Sequence, residues 1–245
     1  MRFVVFLGLL LLLGSCKTSN LFEYEKGKTP PTKLDAAFRY DSTYQYSIRK
    51  DDKLNISVWG QDELSVGSVY GIYNSNEVYG KWLLVDANGN IEVPKVGTMK
   101  VLDMTVPALK DSLKSLFAKW VLKPVVDVKV LNKEITVLGE VRNPQVLQTD
   151  KDHNTLLEIL SRAGGFEVYA NLKYVKVLRQ EGENVRVANI DLSKAGGYLS
   201  KNIQLHPGDV VIVPSKKYKE FDRRISIIIP FTSTITAAAI LLKAF

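Results

Sequence analysis

Two rhythms of apolar and polar positions run along the chain between Tyr44 and Pro214. Short runs alternate with a period of two, as strands do, and two longer stretches repeat every three to four residues, as helices do. Tyr46–Arg49 and Leu54–Trp59 read as strand pieces on either side of Lys50-Asp51-Asp52. Gln61–Gly80 is rich in Gly, Ser, Asn and Tyr and reads as a long loop or loose hairpin. Its Tyr70, Tyr73 and Tyr79 can either stack on sugar rings or pack the loop onto a neighbour. Trp82–Asp86 and Ile91–Pro94 flank Asn88-Gly89, a turn pair that predicts a hairpin because it supplies positive φ angles. Thr105 fits an N-cap and Pro107 the first helical turn. Leu109, Leu113, Leu116, Phe117 and Trp120 then recur at helical spacing, which predicts a helix to about Trp120. Pro124 closes it, and Val125–Val130 is a strand.

A second unit follows. Glu134–Leu138 and Val146-Leu147 are strands around Gly139-Glu140-Val141-Arg142-Asn143-Pro144. Asn154 or Thr155 caps a helix carrying Leu156, Leu157, Ile159 and Leu160. Gly164-Gly165 stops it, since glycine suits a left-handed C-cap. Val175–Leu178 and Val185–Ile190 are strands across a Gln180–Glu183 turn. Ile203–Pro214 closes the unit through His206-Pro207-Gly208-Asp209.

The two ends follow neither rhythm. Met1-Arg2 and the apolar run Phe3–Leu13 have the size of an export signal, too short for a typical membrane span. The run ends in Leu13-Gly14-Ser15-Cys16, which resembles a bacterial lipoprotein signal and makes Cys16 the lipid-attachment residue. A polar tether follows to about Tyr44, with Pro30-Pro31 inside it. At the other end, Ile225–Leu242 carries no charge. As a helix at ~1.5 Å per residue it reaches about 27 Å, enough for a thin bilayer. At 100° per residue Ile227, Ile228, Phe231, Ile235, Ala238 and Leu242 share one face. Thr232 and Thr236 lie on another with Ser226 and Ser233 beside them. Each hydroxyl costs about 0.5–2 kcal/mol if left unpaired in an apolar medium. Such a helix suits lipid on one side and a wetter lumen or a partner helix on the other. A single anchor helix, or a helix packed on the protein's own body, is the plainer alternative.

Composition is that of a folded protein, with 46% hydrophobic and 24% charged residues. Formal net charge is +7. Loss of Arg2 with the signal leaves 7 − 1 = +6 on the mature chain. Part of the excess is the run Lys216, Lys217, Lys219, Arg223, Arg224 before the tail. No aromatic-basic motif for nucleic acid accompanies it, and contact with lipid headgroups is the better fit.

Candidate chemistry is thin. Asp51 and Asp52 are adjacent carboxylates, but neighbours in sequence point different ways and more often make a turn. Asn55-Ile56-Ser57 fits a glycosylation acceptor inside a strand pattern. His153 and His206, the two histidines, have no further ligand at metal spacing and read as surface or turn residues. There is no glycine-rich phosphate loop, and no cofactor is implied. Cys16, the single cysteine, rules out a disulfide within one protomer and a thiolate metal cluster.

Three sets of residues carry a resemblance to a known family. The first is Tyr46, Asp52-Lys53-Leu54, Val58-Trp59, Val85-Asp86, Gly89-Asn90-Ile91, Pro94, Gly97, the helix, and Lys123–Val128. Over residues 44–131 this resembles the polysaccharide export domain of bacterial outer-membrane exporters, with Arg49-Lys50-Asp51-Asp52 standing where that family has a Pro-Gly-Asp turn. The second is Gly139–Pro144, the helix ending Ala163-Gly164-Gly165, and Pro207-Gly208-Asp209-Val210-Val211-Ile212-Val213-Pro214. Over 133–215 it resembles a soluble-ligand-binding β-grasp domain. The third is the lipoprotein signal.

The resemblance implies an α+β chain. Its parts are a signal peptide (1–15), a lipidated tether (16–43), an export domain (44–131), one β-grasp domain (132–215), a basic linker (216–224) and a C-terminal outer-membrane helix (225–245). It further implies a homo-oligomeric ring, often of eight. The body lies in the periplasm, and the C-terminal helices form an α-helical barrel through the outer membrane. The conduit is passive, fed by an inner-membrane co-polymerase, and carries capsular polysaccharide or exopolysaccharide. Two other classes stay open at this point: a periplasmic glycan-binding lipoprotein that spans nothing, and a polysaccharide-modifying enzyme using Asp51 and Asp52.

Overall fold

The computed structural model describes residues 35–66, 82–193, 202–223 and 225. The larger of two compact units spans Thr29–Pro214 and contains two hydrophobic cores. The smaller unit takes in the chain from Ser215, of which 215–223 and 225 are described.

The first core is built on β1 (Lys53–Val58), which pairs antiparallel on one side with β2 (Leu83–Leu84). A separate hairpin, β3 (Asn90–Val93) and β4 (Gly97–Lys100), lies further along the chain. Helix α1 (Val106–Phe117) follows, and then β5 (Val126–Val130), which pairs with the other side of β1. Thr105 caps α1 by accepting from the Ala108 amide at 3.3 Å. Leu109, Leu113 and Phe117 form its buried stripe, packed toward β5 in one cluster with Ile56, Val58, Val126 and Val128. Burying each such side chain contributes about 1.5–3 kcal/mol.

Three local expectations are corrected here. The Asn88-Gly89 turn forms, with Gly89 at φ 81° and the Asp86 carboxylate accepting from the Asn88 and Asn90 amides at 2.8 Å. Its flanks, however, do not pair as a hairpin. Leu83–Leu84 joins β1, and Asn90–Val93 joins Gly97–Lys100 across Pro94-Lys95-Val96. The Gly89 carbonyl is instead taken by the amides of Val101 and Leu102. Second, Tyr46–Arg49 is not a strand. Its backbone pairing with the chain before α1 is short: one bridge, Ser47 to Thr105, the Ile48 amide donating to the Met104 carbonyl, and the Ile48 carbonyl accepting from the Asp103 amide. Third, α1 stops at Phe117 and not near Trp120. The chain leaves it through turns in which the Trp120 and Val121 amides both donate to Phe117, which carries Trp120 off the buried stripe.

The second core packs under a five-stranded sheet. In chain order its elements are β6 (Glu134–Gly139), β7 (Gln145–Gln148), β8 (Asn154–Thr155), α2 (Leu156–Arg162), β9 (Val175–Glu181), β10 (Asn184–Ile190), β11 (Gln204–Leu205) and β12 (Val210–Val213). The sheet order is β10-β9-β12-β6-β7, with β12 and β6 parallel and the other pairs antiparallel. β8 and β11 pair separately. Thr155 caps α2. At its end the Arg142 amide donates to Gly165 and the Asn143 amide to Ala163, so the glycine cap is docked on the Arg-Asn-Pro turn. Gly139 admits no side chain: at φ 93°, a Cβ would lie 2.0 Å from the Val213 carbonyl oxygen.

The tether expected over 16–43 is, from Asp35 on, part of this second core. Ala36–Phe38 makes one 3₁₀ turn, and Phe38 is fully buried among residues of the five-stranded sheet and α2. Within the linker expected over 216–224, residues 219–223 are helical. Among the described residues no helix is long and apolar enough to cross a membrane. The tail 226–245 lies outside them.

Candidate functional site

The two cores meet along the segment Tyr40–Arg49 and the turn His206–Asp209. That turn is organised from beneath by Arg179 on β9. Its guanidinium forms a two-pronged ion pair with Asp209, Nε to Oδ1 at 2.9 Å and Nη2 to Oδ2 at 2.7 Å, with both side chains buried. The same guanidinium donates to the carbonyls of Gln204 (3.1 Å) and Ala37 and lies 4.8 Å from the Phe38 ring centroid. Asp209 Oδ2 also accepts from the His206 amide at 2.8 Å. One buried pair therefore fixes both the turn and the docked lead-in. A pair this deep is costly to desolvate and is stable only because every polar atom is met.

Above it, the His206 ring stacks on Tyr44, centroids 3.7 Å apart and planes 9° apart. Burial is the main cause that holds the His206 imidazole down at about 4, with Arg179 and Arg49 adding to it. Burial pushes the Tyr44 hydroxyl up to about 12. His153 Nδ1 lies 3.0 Å from the Gln204 amide nitrogen, and its ring is 6.0 Å from that of Tyr40. Arg49, from the first core, donates to the Pro207 carbonyl at 3.0 Å. Tyr46 sits beside it, donating its hydroxyl to Asp52 at 2.9 Å. Burial raises the Asp52 carboxyl above its usual range.

Beside this junction lies a groove of about 1210 Å³. Its lining includes Tyr44, Lys129, Lys133, Gln148, Asp150 and Asp152. Lys129 belongs to β5 and Gln148 to β7, each the outermost described strand of its sheet. Lys133 Nζ bridges Asp152 Oδ1 (2.9 Å) and the Asp150 carbonyl (3.2 Å). An aromatic ring among carboxylates, amides and ammonium groups is suited to a polar, hydroxyl-bearing chain.

Several of the sequence candidates find their place here. Asp51 and Asp52 do not form a working pair: Asp51 is exposed on the turn at φ 65°, while Asp52 is buried and held by Tyr46 and by the Arg49 amide. His206 is in a turn, as expected, but is also half of an aromatic stack that its sequence surroundings did not disclose. Among the described residues no group of three or more His, Cys, Asp or Glu is placed to hold a metal ion. Cys16, Tyr70, Tyr73 and Tyr79 lie outside the described residues. So do the two tail faces, Ile227, Ile228, Phe231, Ile235, Ala238, Leu242 and Ser226, Thr232, Ser233, Thr236. Arg179 was not singled out because its partner is thirty residues away in sequence; the unusual feature was an arginine continuing the Val-Lys-Val-Leu run.

The two cores coincide with two recognised domains. Residues 41–131 match the polysaccharide biosynthesis/export protein family, and residues 133–213 match the SLBB domain. The chain belongs to the polysaccharide export protein family. It is 29% identical over 214 residues to the EPS I polysaccharide export outer membrane protein EpsA of Ralstonia solanacearum, covering 82% of this chain and 56% of that protein. It is 25% identical over 194 residues to the capsule polysaccharide export protein BexD of Haemophilus influenzae, covering 75% and 47%. The chain thus spans about half the length of these relatives.

Proposed function

We propose that this chain is a subunit of a passive outer-membrane conduit for a capsular polysaccharide or exopolysaccharide. The supporting observation is the export domain bonded to a single SLBB domain through Arg49 and Pro207. That gives each subunit a stiff body from which a ring can be assembled. Cys16 carries the lipid that holds the body to the membrane. The tail helices supply the barrel, with Ile227, Ile228, Phe231, Ile235, Ala238 and Leu242 toward lipid and Ser226, Thr232, Ser233 and Thr236 toward the lumen or a neighbouring helix. The basic run Lys216, Lys217, Lys219, Arg223 and Arg224 precedes the tail and meets the headgroups. An inner-membrane co-polymerase drives the polymer, and the subunit contributes no bond-making chemistry.

The groove beside Tyr44 favours a second reading, a periplasmic lipoprotein that binds glycan without spanning the membrane. The mass of the complex extracted in mild detergent separates the two. A closed ring of many subunits supports the conduit, and a stable monomer removes it.

A further inference from the structure

The end of the first domain at which β1 finishes carries four exposed apolar side chains: Trp59 (65% exposed), Trp120 (49%), Leu122 (91%) and Val125 (58%). They belong together. The Trp59 amide donates to the Val125 carbonyl at 3.0 Å, one step beyond the Val58–Val126 pair. Residues directly opposite in an antiparallel ladder share a face, so the Trp59 indole and Val125 lie side by side. Leu122 is three residues from Val125, within about 10 Å of chain. It lies in the bends that follow α1, next to Lys123, which is held at φ 54° before Pro124. No packing in the described fold uses Leu122.

The charge around this tip has one sign left over. Lys119 and Lys123 are exposed, and neither has an ion-pair partner among the described residues. The acidic groups close by in sequence are largely engaged: Glu63 pairs with Lys95 at 2.9 Å and Asp127 with Lys110 at 2.6 Å. Asp62 alone is not in such a pair, and two free ammonium groups outweigh it.

We propose that this tip is a membrane-contact surface that inserts Leu122 and the indoles of Trp59 and Trp120 into the interface of a bilayer containing anionic phospholipid. Indole rings prefer the headgroup level, where their apolar body and N–H donor are both accommodated. A leucine in these bends reaches past them to the acyl boundary. Lysines on either side place their ammonium groups among phosphates while their stems stay on the apolar layer. A two-fold contact between two such tips would bring four lysines together, which disfavours that pairing. The contact uses side chains of the export domain alone.

The test uses the full chain held in nanodiscs of zwitterionic lipid, to which separate vesicles rich in phosphatidylglycerol with brominated acyl chains are added. Trp59 and Trp120 fluorescence is quenched. Trp82, at the opposite end of β1 near Lys53, is not, as a Trp59→Phe/Trp120→Phe variant shows. Leu122→Asp lowers vesicle capture at least about tenfold, a step of ~1.4 kcal/mol. Its circular dichroism is unchanged because the residue is exposed. Lys119→Gln/Lys123→Gln lowers capture by anionic vesicles and leaves capture by zwitterionic ones unchanged. Absence of quenching, equal capture of both lipids by the unaltered chain, or capture unaffected by Leu122→Asp overturns the proposal. So does a Leu122→Asp chain that fails to assemble in the absence of vesicles, since the tip would then be a contact between copies.

Discussion

Tyr44 lies flat against His206, 3.7 Å between ring centroids, at the point where the export domain meets the SLBB domain. Burial and the guanidiniums of Arg179 and Arg49 keep that imidazole neutral. An unfolded chain has no such constraint, and its histidine titrates near the ordinary value of about 6.5.

The sign of the pH effect follows. With the folded value near 4, the unfolded state binds more protons between the two values, so stability rises with pH across that window. It is complete above about pH 6.5 and is lost as pH falls toward 4. Partial exposure limits the return to roughly 1–2 kcal/mol. Urea denaturation at a series of pH values is expected to show this slope, and His206→Phe to flatten it.

Removing one member of the Arg179–Asp209 pair leaves a buried charge without its partner. Arg179→Ala or Asp209→Ala is expected to cost about 3–5 kcal/mol. Arg179→Met/Asp209→Leu costs much less, because no buried charge remains. Equilibrium unfolding of the three variants reads the difference directly.

Phe38 tests whether the lead-in is structural. It is fully buried under the Arg179 guanidinium, so Phe38→Ala is expected to cost about 3–5 kcal/mol. Limited proteolysis should then cut between Asp35 and Tyr44, where the unaltered chain resists.

Gly139→Ala places a methyl group on the Val213 carbonyl at the end of the parallel β6–β12 pair. Relief requires the two strands to part. The expected outcome is an SLBB domain that does not fold, seen as loss of dispersed amide signals, whereas Gly182→Ala, with open space around it, costs about 1 kcal/mol.

Much of this architecture was legible because it is decided locally. Thr105 and Thr155 cap their helices through an amide three residues ahead, and Gly164-Gly165 ends α2 through its own φ angles. The features that escaped depend on distant partners. Leu83 and Leu84 pair with Lys53 and Leu54, not with the strand just beyond their own turn. Lys95 takes φ 61° in the real hairpin loop without being glycine, so Asn88-Gly89 carried the stronger signal for a hairpin. Phe38 lies between two alanines and Arg39-Tyr40 in a stretch without strand or helix rhythm, and nothing beside it marks the pocket that Arg179 and α2 provide. The site was legible as a turn, His206 to Asp209, but not as a junction, because Tyr44, Arg49 and Arg179 reach it from elsewhere in the chain.

The proposed barrel, one tail helix from each subunit, puts Phe245 at or beyond the outer surface. An epitope added after Phe245, probed with a membrane-impermeant reagent on whole bacteria, is the direct measurement. Labelling of intact cells, at the level found after lysis, is the predicted result. Labelling only after the outer membrane has been broken would contradict it.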